Sequence, residues 1–186
     1  LKMSWRVFFQ GTLTLAVLAM TAPLWAQSAF PHKPIKIVVP FAAGGSTDVM
    51  ARLVGQKVGE SLGQSVLIEN RPGAGGAIAS DAVAKSPADG YTVLMATTST
   101  HAILPVANAQ LPYDAQRDFV ALGLVAKAPN VLVVSPSLGV TTVKALIELA
   151  RSKPGQLSFA SSGNGTITHL VSEAFNKAAG IQATHV

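Results

Sequence analysis

Two short loops carry the residue types best suited to holding an anion: Phe41-Ala42-Ala43-Gly44-Gly45-Ser46-Thr47-Asp48 and Ser161-Ser162-Gly163-Asn164-Gly165-Thr166. Each follows a short β-type run and precedes a segment of helical period, so it joins the carboxyl end of a strand to a helix N-terminus. That position offers free backbone N–H groups and about half a positive charge, and in open α/β sheets it is where ligands bind. Gly44, Gly45, Gly163 and Gly165 have no Cβ, which lets the backbone approach a carboxylate, while the hydroxyls of Ser46, Thr47, Ser162 and Thr166 can donate to it. Asp48 either caps its own loop or meets the ligand. Taken singly, each loop is equally an ordinary turn with a Ser/Thr cap. The pair is what points to a binding site.

Motifs for other chemistry are missing. No G-x-x-x-x-G-K-[ST] phosphate cradle occurs, and Gly73-Ala74-Gly75 runs on into Gly76-Ala77-Ile78, which breaks the dinucleotide pattern G-x-G-x-x-G. There is no G-x-S-x-G elbow and no H-E-x-x-H, and His32, His101, His169 and His185 lack metal-ligand spacing. Zero cysteines exclude a disulfide framework, a thiolate metal site and a cysteine nucleophile. No catalytic residue, metal or cofactor is expected. His169, four residues after Gly165, is a candidate ligand contact or a packing histidine, and His101, after Thr97-Thr98-Ser99-Thr100, carries the same two readings. Asp81, Asp89, Asp114 and Asp118 read as turn or surface residues.

The elements that must position these loops follow from composition and period. With 49% hydrophobic and 12% charged residues, against a typical charged share of about 25%, the 186-residue chain is too apolar for an unfolded tail. Its formal charge of +5 comes from scattered Lys and Arg, not from a cluster that would track nucleic acid. Lys2 and Arg6 precede an apolar stretch over 7–20, and Ala22-Pro23-Leu24-Trp25-Ala26-Gln27-Ser28 supplies small residues for cleavage, so residues 1–26 read as a secretory signal peptide. Gln10, Thr12, Thr14, Thr21 and Pro23 interrupt the run too often for a membrane anchor. Loss of the leader takes 14 basic residues to 12 against 9 acidic ones, a formal charge of +3.

Beyond the leader, strands are expected over 35–39, 65–69 and 92–96, with a helix over 49–62 and a small-residue helix over 77–84. Each strand meets a helix, the pattern of a parallel α/β sheet. Residues 119–126 and 131–134 read as two further strands. A helix follows over 143–150, capped by Thr141 or Thr142, then a short strand over 158–160, a helix over 166–179 stopped by Gly180, and the start of a strand over 182–186.

Lys33-Pro34-Ile35-Lys36-Ile37-Val38-Val39-Pro40-Phe41-Ala42-Ala43-Gly44-Gly45-Ser46-Thr47-Asp48 resembles the opening of the Bug-type receptors, the extracytoplasmic solute-binding components of tripartite tricarboxylate transporters. Glu69-Asn70-Arg71-Pro72-Gly73-Ala74-Gly75-Gly76, Ala88-Asp89-Gly90-Tyr91-Thr92-Val93-Leu94, Leu111-Pro112-Tyr113-Asp114 and Phe159-Ala160 with the second loop and His169-Leu170 follow in the family's order. The resemblance covers residues 31–186. It implies an α/β fold of the type II periplasmic-binding-protein kind, a Venus flytrap of two lobes. Residues 27–105 would begin lobe one, and 106–186 would begin a second lobe left incomplete, because such receptors run on well past this length; the chain is expected to be a fragment. Within the family, 40–48 is the anion loop of lobe one with Phe41 as an apolar lid, and 161–166 is its counterpart in lobe two. Thr98, Ser99 and His101 would line the same cleft. The implied function is capture of a small carboxylate in the periplasm by a monomer that serves membrane permease subunits, with no nucleic-acid partner. Two alternatives stay open, a receptor-like sensor acting through a membrane partner and a cryptic α/β enzyme.

Overall fold

The β-branched run Ile35-Lys36-Ile37-Val38-Val39 forms β1 (Ile35–Val39), and its burial explains its composition: Ile35, Ile37, Val38 and Val39 are all inside. A strand covered on both faces is what the centre of a parallel sheet demands. β1 lies between β2 (Val66–Asn70) and β3 (Thr92–Leu94), giving a three-stranded parallel sheet of order β2-β1-β3. Ile37 faces Ile68 and Val93 across the two ladders. The computed structural model describes residues 30–186, so the leader expected over 1–26 lies outside the described residues.

Parallel strands need crossovers, and α1 (Ser46–Leu62) supplies the first. Ala51 is fully buried against Ile37, Val39, Val66 and Ile68. One turn later, a Cβ on Gly55 would stand 3.1 Å from both Ile68 Cδ1 and Val66 Cγ1, so glycine lets the helix sit close on the sheet. α1 stops at Gly63, whose N–H bonds the Gly59 carbonyl at 2.9 Å. A 3₁₀ turn (Ala74–Gly76) leads into α2 (Ala77–Ala84), and after β3 a π-helical turn (Ser99–Ile103) runs into α3 (Leu104–Ala107). A second apolar cluster forms there from Ala77, Leu104 and Tyr113, flanked by Leu111 and Phe119.

The chain then crosses 119–134 and a 3₁₀ turn (Pro136–Leu138) to α4 (Val143–Ser152), β4 (Leu157–Phe159), α5 (Ile167–Ala179) and β5 (Ala183–His185). β4 and β5 pair in parallel, with Phe159 opposite His185. Thr142 caps α4, its Oγ1 accepting the Ala145 N–H at 3.1 Å, which decides between the two threonines of the sequence reading. Gly180 closes α5 in the left-handed conformation. Residues 33–186 form one compact unit. Among the described residues no helix is long and apolar enough to cross a membrane.

One expectation fails. Residues 119–126 and 131–134 are not strands: the segment is irregular, and Val120, Leu122 and Val133 are about four-fifths or more exposed, at 88%, 80% and 79%. The alternating valines and leucines have the right propensity. A strand also needs a neighbour for its N–H and C=O groups, and among the described residues no backbone hydrogen bond joins this stretch to another.

Candidate functional site

The loop after β1 is shaped by one carboxylate. Asp48 is buried at 3% exposure in the first turn of α1. Its Oδ2 accepts the Gly44 N–H at 2.8 Å and Arg52 Nε at 3.0 Å, and its Oδ1 accepts Asn70 Nδ2 at 3.0 Å. Asn70 Nδ2 also donates to the Phe41 carbonyl at 3.1 Å, and Arg52 Nη2 reaches Asn70 Oδ1 at 3.3 Å. The Arg52 hydrogen bond above all, then the Gly44 and Asn70 donors, hold the Asp48 carboxyl down at about 2. Asp48 is therefore ionised and spent on its own scaffold, tying both ends of the 41–44 bend to β2 and α1. Arg52 and Asn70 escaped the sequence reading; an Asn at the carboxyl end of the neighbouring strand is the signal that could have found them.

What this scaffold presents outward is backbone. Gly44 takes φ of +87° with nothing within 4 Å of a Cβ built there, so glycine answers a backbone need and leaves open space in front. Gly45, the N-cap of α1, is extended, and no side chain caps the helix. Gly44, Gly45 and Ser46 are exposed, with Phe41 and Thr47 half-buried beside them. The first turn of a 17-residue helix thus opens to solvent through residues without bulk.

The second loop is closed on itself. Thr166 is fully buried, and its Oγ1 donates to the Gly163 carbonyl at 2.6 Å. The Ser162 N–H and hydroxyl both meet Thr168 Oγ1, at 3.0 and 2.8 Å. Thr168, not singled out from sequence, therefore pins the loop to the first turn of α5. The Gly165 N–H donates to His169 Nδ1 at 3.2 Å, so His169 accepts at Nδ1, and its ring lies 4.2 Å from that of His185. Ser161 Oγ donates to the Gly163 carbonyl and takes the Gly163 N–H, both at 3.1 Å, and meets His185 Nε2 at 2.8 Å. Either group can donate in the Ser161–His185 contact, according to the His185 tautomer.

Two further segments bridge these loops. A Cβ on Gly76 would stand 2.5 Å from Thr100 Cγ2 and 3.0 Å from Pro40 Cβ, and one on Gly75 would stand 3.1 Å from the Asn164 carbonyl. Leu104 reaches the Cβ positions of Gly75 and Gly165 alike at 3.6 Å. Ser99 Oγ, 68 residues away in sequence, accepts the Ile167 N–H at 3.0 Å. Among the described residues no hydrogen bond joins the 41–48 loop directly to the 161–166 loop; Gly75, Gly76 and the 99–104 turn connect them. Close packing at Gly75 and Gly76 was missed from sequence, where a Gly-Gly pair reads as a turn.

The other expected cleft residues divide. Thr98 is exposed and Ser99 is buried. His101 turns to the aromatic cluster: its ring meets Phe119 edge-on at 4.7 Å, its Nδ1 contacts Thr100 Oγ1 at 2.9 Å, and burial pulls its pKa down. It lines an open concavity of about 570 Å³ together with Tyr113, Asp114 and Asp118, in which neither anion loop takes part. Among the described residues no three His, Asp or Glu side chains gather into a metal site.

A family model for the tripartite tricarboxylate transporter family receptor, TctC, matches residues 50–186. A UPF0065 protein from the tcbD-tcbE intergenic region of Pseudomonas sp. strain P51 is 41% identical over 174 residues, 94% of this chain and 52% of that protein. BugT of Bordetella pertussis is 41% identical over 162 residues, 87% of this chain and 49% of that protein. Among solved structures, an R. palustris protein with adipate aligns with a TM-score of 0.82 at 41% identity, covering 84% of this chain and 52% of that one. MatC of Rhodopseudomonas palustris with bound malate aligns at 0.78 with 30% identity, covering 84% and 53%. The chain spans about half the length of the curated relatives it matches. The matched region runs from within α1 through β5, taking in both parallel sheets' crossovers and the second glycine-serine loop, and the chain belongs to the tripartite tricarboxylate transporter receptor family.

Proposed function

We propose that this chain is the carboxylate-capturing part of an extracytoplasmic receptor, taking a small carboxylate acid between the 41–48 and 161–169 loops for a membrane permease. Residues 27–105 and 106–186 belong to two lobes, and the receptor acts as a monomer in the periplasm after loss of its 1–26 leader. One observation carries the reading: the uncapped, exposed start of α1 sits at the carboxyl end of the central parallel strand, with Asp48 charge-paired to Arg52 and hydrogen-bonded by Asn70. Backbone N–H groups of Gly45, Ser46 and Thr47 are the donors, with the Ser46 and Thr47 hydroxyls; Phe41 covers the apolar part of the ligand. Thr98, Ser162, Gly163 and His169 border it from the other segments, and the Ser162 and Gly163 N–H groups reach it by exchanging their bonds to Thr168 and Ser161 for bonds to the ligand. The adipate and malate in the two R. palustris proteins support a carboxylate, and a dicarboxylate in particular.

Magnitudes favour two loops over one. Micromolar affinity needs about 8 kcal/mol. A hydrogen bond to a charged group contributes about 1.5–3 kcal/mol and a helix terminus about 0.3–1 kcal/mol. The five donors of one loop total about 7.5–15 kcal/mol, which an association cost of about 4–15 kcal/mol largely offsets, so a second loop is needed to reach that affinity.

The test is thermal unfolding of the chain with adipate, malate and their uncharged diamides at millimolar concentration. At a hundredfold excess over Kd an acid adds about 2.7 kcal/mol, or about 5–10 °C at this size. A shift with an acid and none with its diamide supports the reading. A cooperative melt that no acid moves refutes it.

A further inference from the structure

α5 begins without help from its own cap residue. Thr166 has the extended backbone of an N-cap, φ −83° and ψ 166°, yet makes no side-chain bond into the helix. Its hydroxyl is turned back to the Gly163 carbonyl at 2.6 Å. The N–H of Ile167, first residue of the helix, is one of the four that no helical carbonyl can satisfy. It donates to Ser99 Oγ at 3.0 Å, a side chain 68 residues away on the turn after β3. The acceptor Ser99 is 1% exposed and Thr166, just before the donor, is 0% exposed, while Ile167 itself is half-buried. Around it, Gly75 abuts the Asn164 carbonyl and Leu104 covers Gly165.

We infer that Ser99 is a positioning residue: it caps α5 from another segment and so clasps the 97–104 turn to the 161–167 loop. The clasp sets the distance between the two anion loops, because Thr100, next to Ser99, packs on Gly76, which packs on Pro40 at the root of the first loop. Its consequence for ligand release rests on the carboxylate-receptor reading; the clasp itself does not. A ligand held between the loops leaves only when they part, and the clasp opposes that parting. Its loss therefore speeds dissociation and leaves encounter with the exposed first loop unchanged.

The bond can be removed from either side in the full chain. Ser99→Ala deletes the acceptor. Ile167→Pro deletes the donor at the first helical position, where proline is tolerated and where the extended Thr166 before it already has a suitable backbone. Two readings are taken: amide hydrogen exchange at Ile167, and the rates of adipate and malate binding. Ser99→Ala is expected to raise Ile167 exchange and the dissociation rate each by about tenfold, the scale of one hydrogen bond. Ile167→Pro is expected to raise dissociation equally, the double variant to be no worse than either single one, and Ser99→Thr, which keeps the hydroxyl, to restore wild-type rates. Thr142→Ala, which removes the local cap of α4, serves as control by lowering stability without changing dissociation. Unchanged Ile167 exchange in Ser99→Ala, or additive effects of the two substitutions, overturns the clasp. Dissociation that moves no more than in Thr142→Ala makes Ser99 merely structural and overturns its positioning role. If the wild-type chain binds neither acid, the functional reading falls and Ile167 exchange alone decides the clasp.

Discussion

Replacing Gly76 by alanine tests how tightly the bridge between the loops is packed. The residue sits at φ +101°, where a side chain costs about 1–2 kcal/mol. Its new methyl would stand 2.5 Å from Thr100 Cγ2 and 3.0 Å from Pro40 Cβ. Both neighbours are fully buried, and Thr100 is tied through Oγ1 to Thr97 and His101, so neither can swing aside. Overpacking of this kind adds about 1–3 kcal/mol, for a sum of about 2–5 kcal/mol. With a urea slope near 2 kcal/mol per molar, the unfolding midpoint falls by about 1–2.5 M. Gly63→Ala is the matched control: it too has a left-handed φ, +66°, but nothing lies within 4 Å of its Cβ position. Its midpoint falls by only about 0.5–1 M, the backbone cost alone. The difference between the variants isolates the contact with Thr100 and Pro40. Equal falls for Gly76→Ala and Gly63→Ala would refute the close packing on which the bridge depends.

Acid titration of stability tests the Asp48 scaffold. Because its folded pKa is lowered from 3.8 to about 2, the contribution of Asp48 is complete above 3.8 and is lost as pH falls through about 2; urea midpoints measured across that window should flatten in Asp48→Asn. Tyr113→Phe removes the 2.6 Å bond from the buried phenol to the carbonyl of the fully buried Thr100. A cost of about 1–3 kcal/mol is expected, read as a fall in Tm of about 2–4 °C per kcal/mol; an unchanged Tm would mean the carbonyl finds another partner.

Local pattern made most of the fold legible. The run 35–39, the glycine loop and the helical period of α1 each declare themselves within about 17 residues, as does Gly180 after α5, although α1 buries Asp48, Ala51 and Gly55 and leaves Val49, Leu53 and Leu62 exposed. Residues 119–134 misled because strand propensity is local and strand pairing is not. The site was legible to the same depth. Both glycine-serine loops stand out in sequence, and the structure places both at helix starts. How each is held does not stand out: Asn70 reaches Asp48 across 22 residues and Ser99 reaches Ile167 across 68. Asp48 shows the limit best. Its position three residues after Gly45 allowed a capping or a ligand role, and only the three donors converging on it display the capping one.

The neutralisation of Asp48 by Arg52 has a consequence for the medium in which binding takes place. A pocket that attracts acids through free lysines or arginines loses strength as mobile ions crowd around those charges, over a Debye length of about 8 Å at physiological ionic strength. Arg52, the arginine on the carboxylate of the first loop, is already engaged, so on the proposed reading the ligand meets oriented amide dipoles at contact distance, inside that screening layer. Affinity then depends on the direction of the N–H bonds more than on net charge, and it should hold nearly constant when salt concentration outside the cell rises and falls.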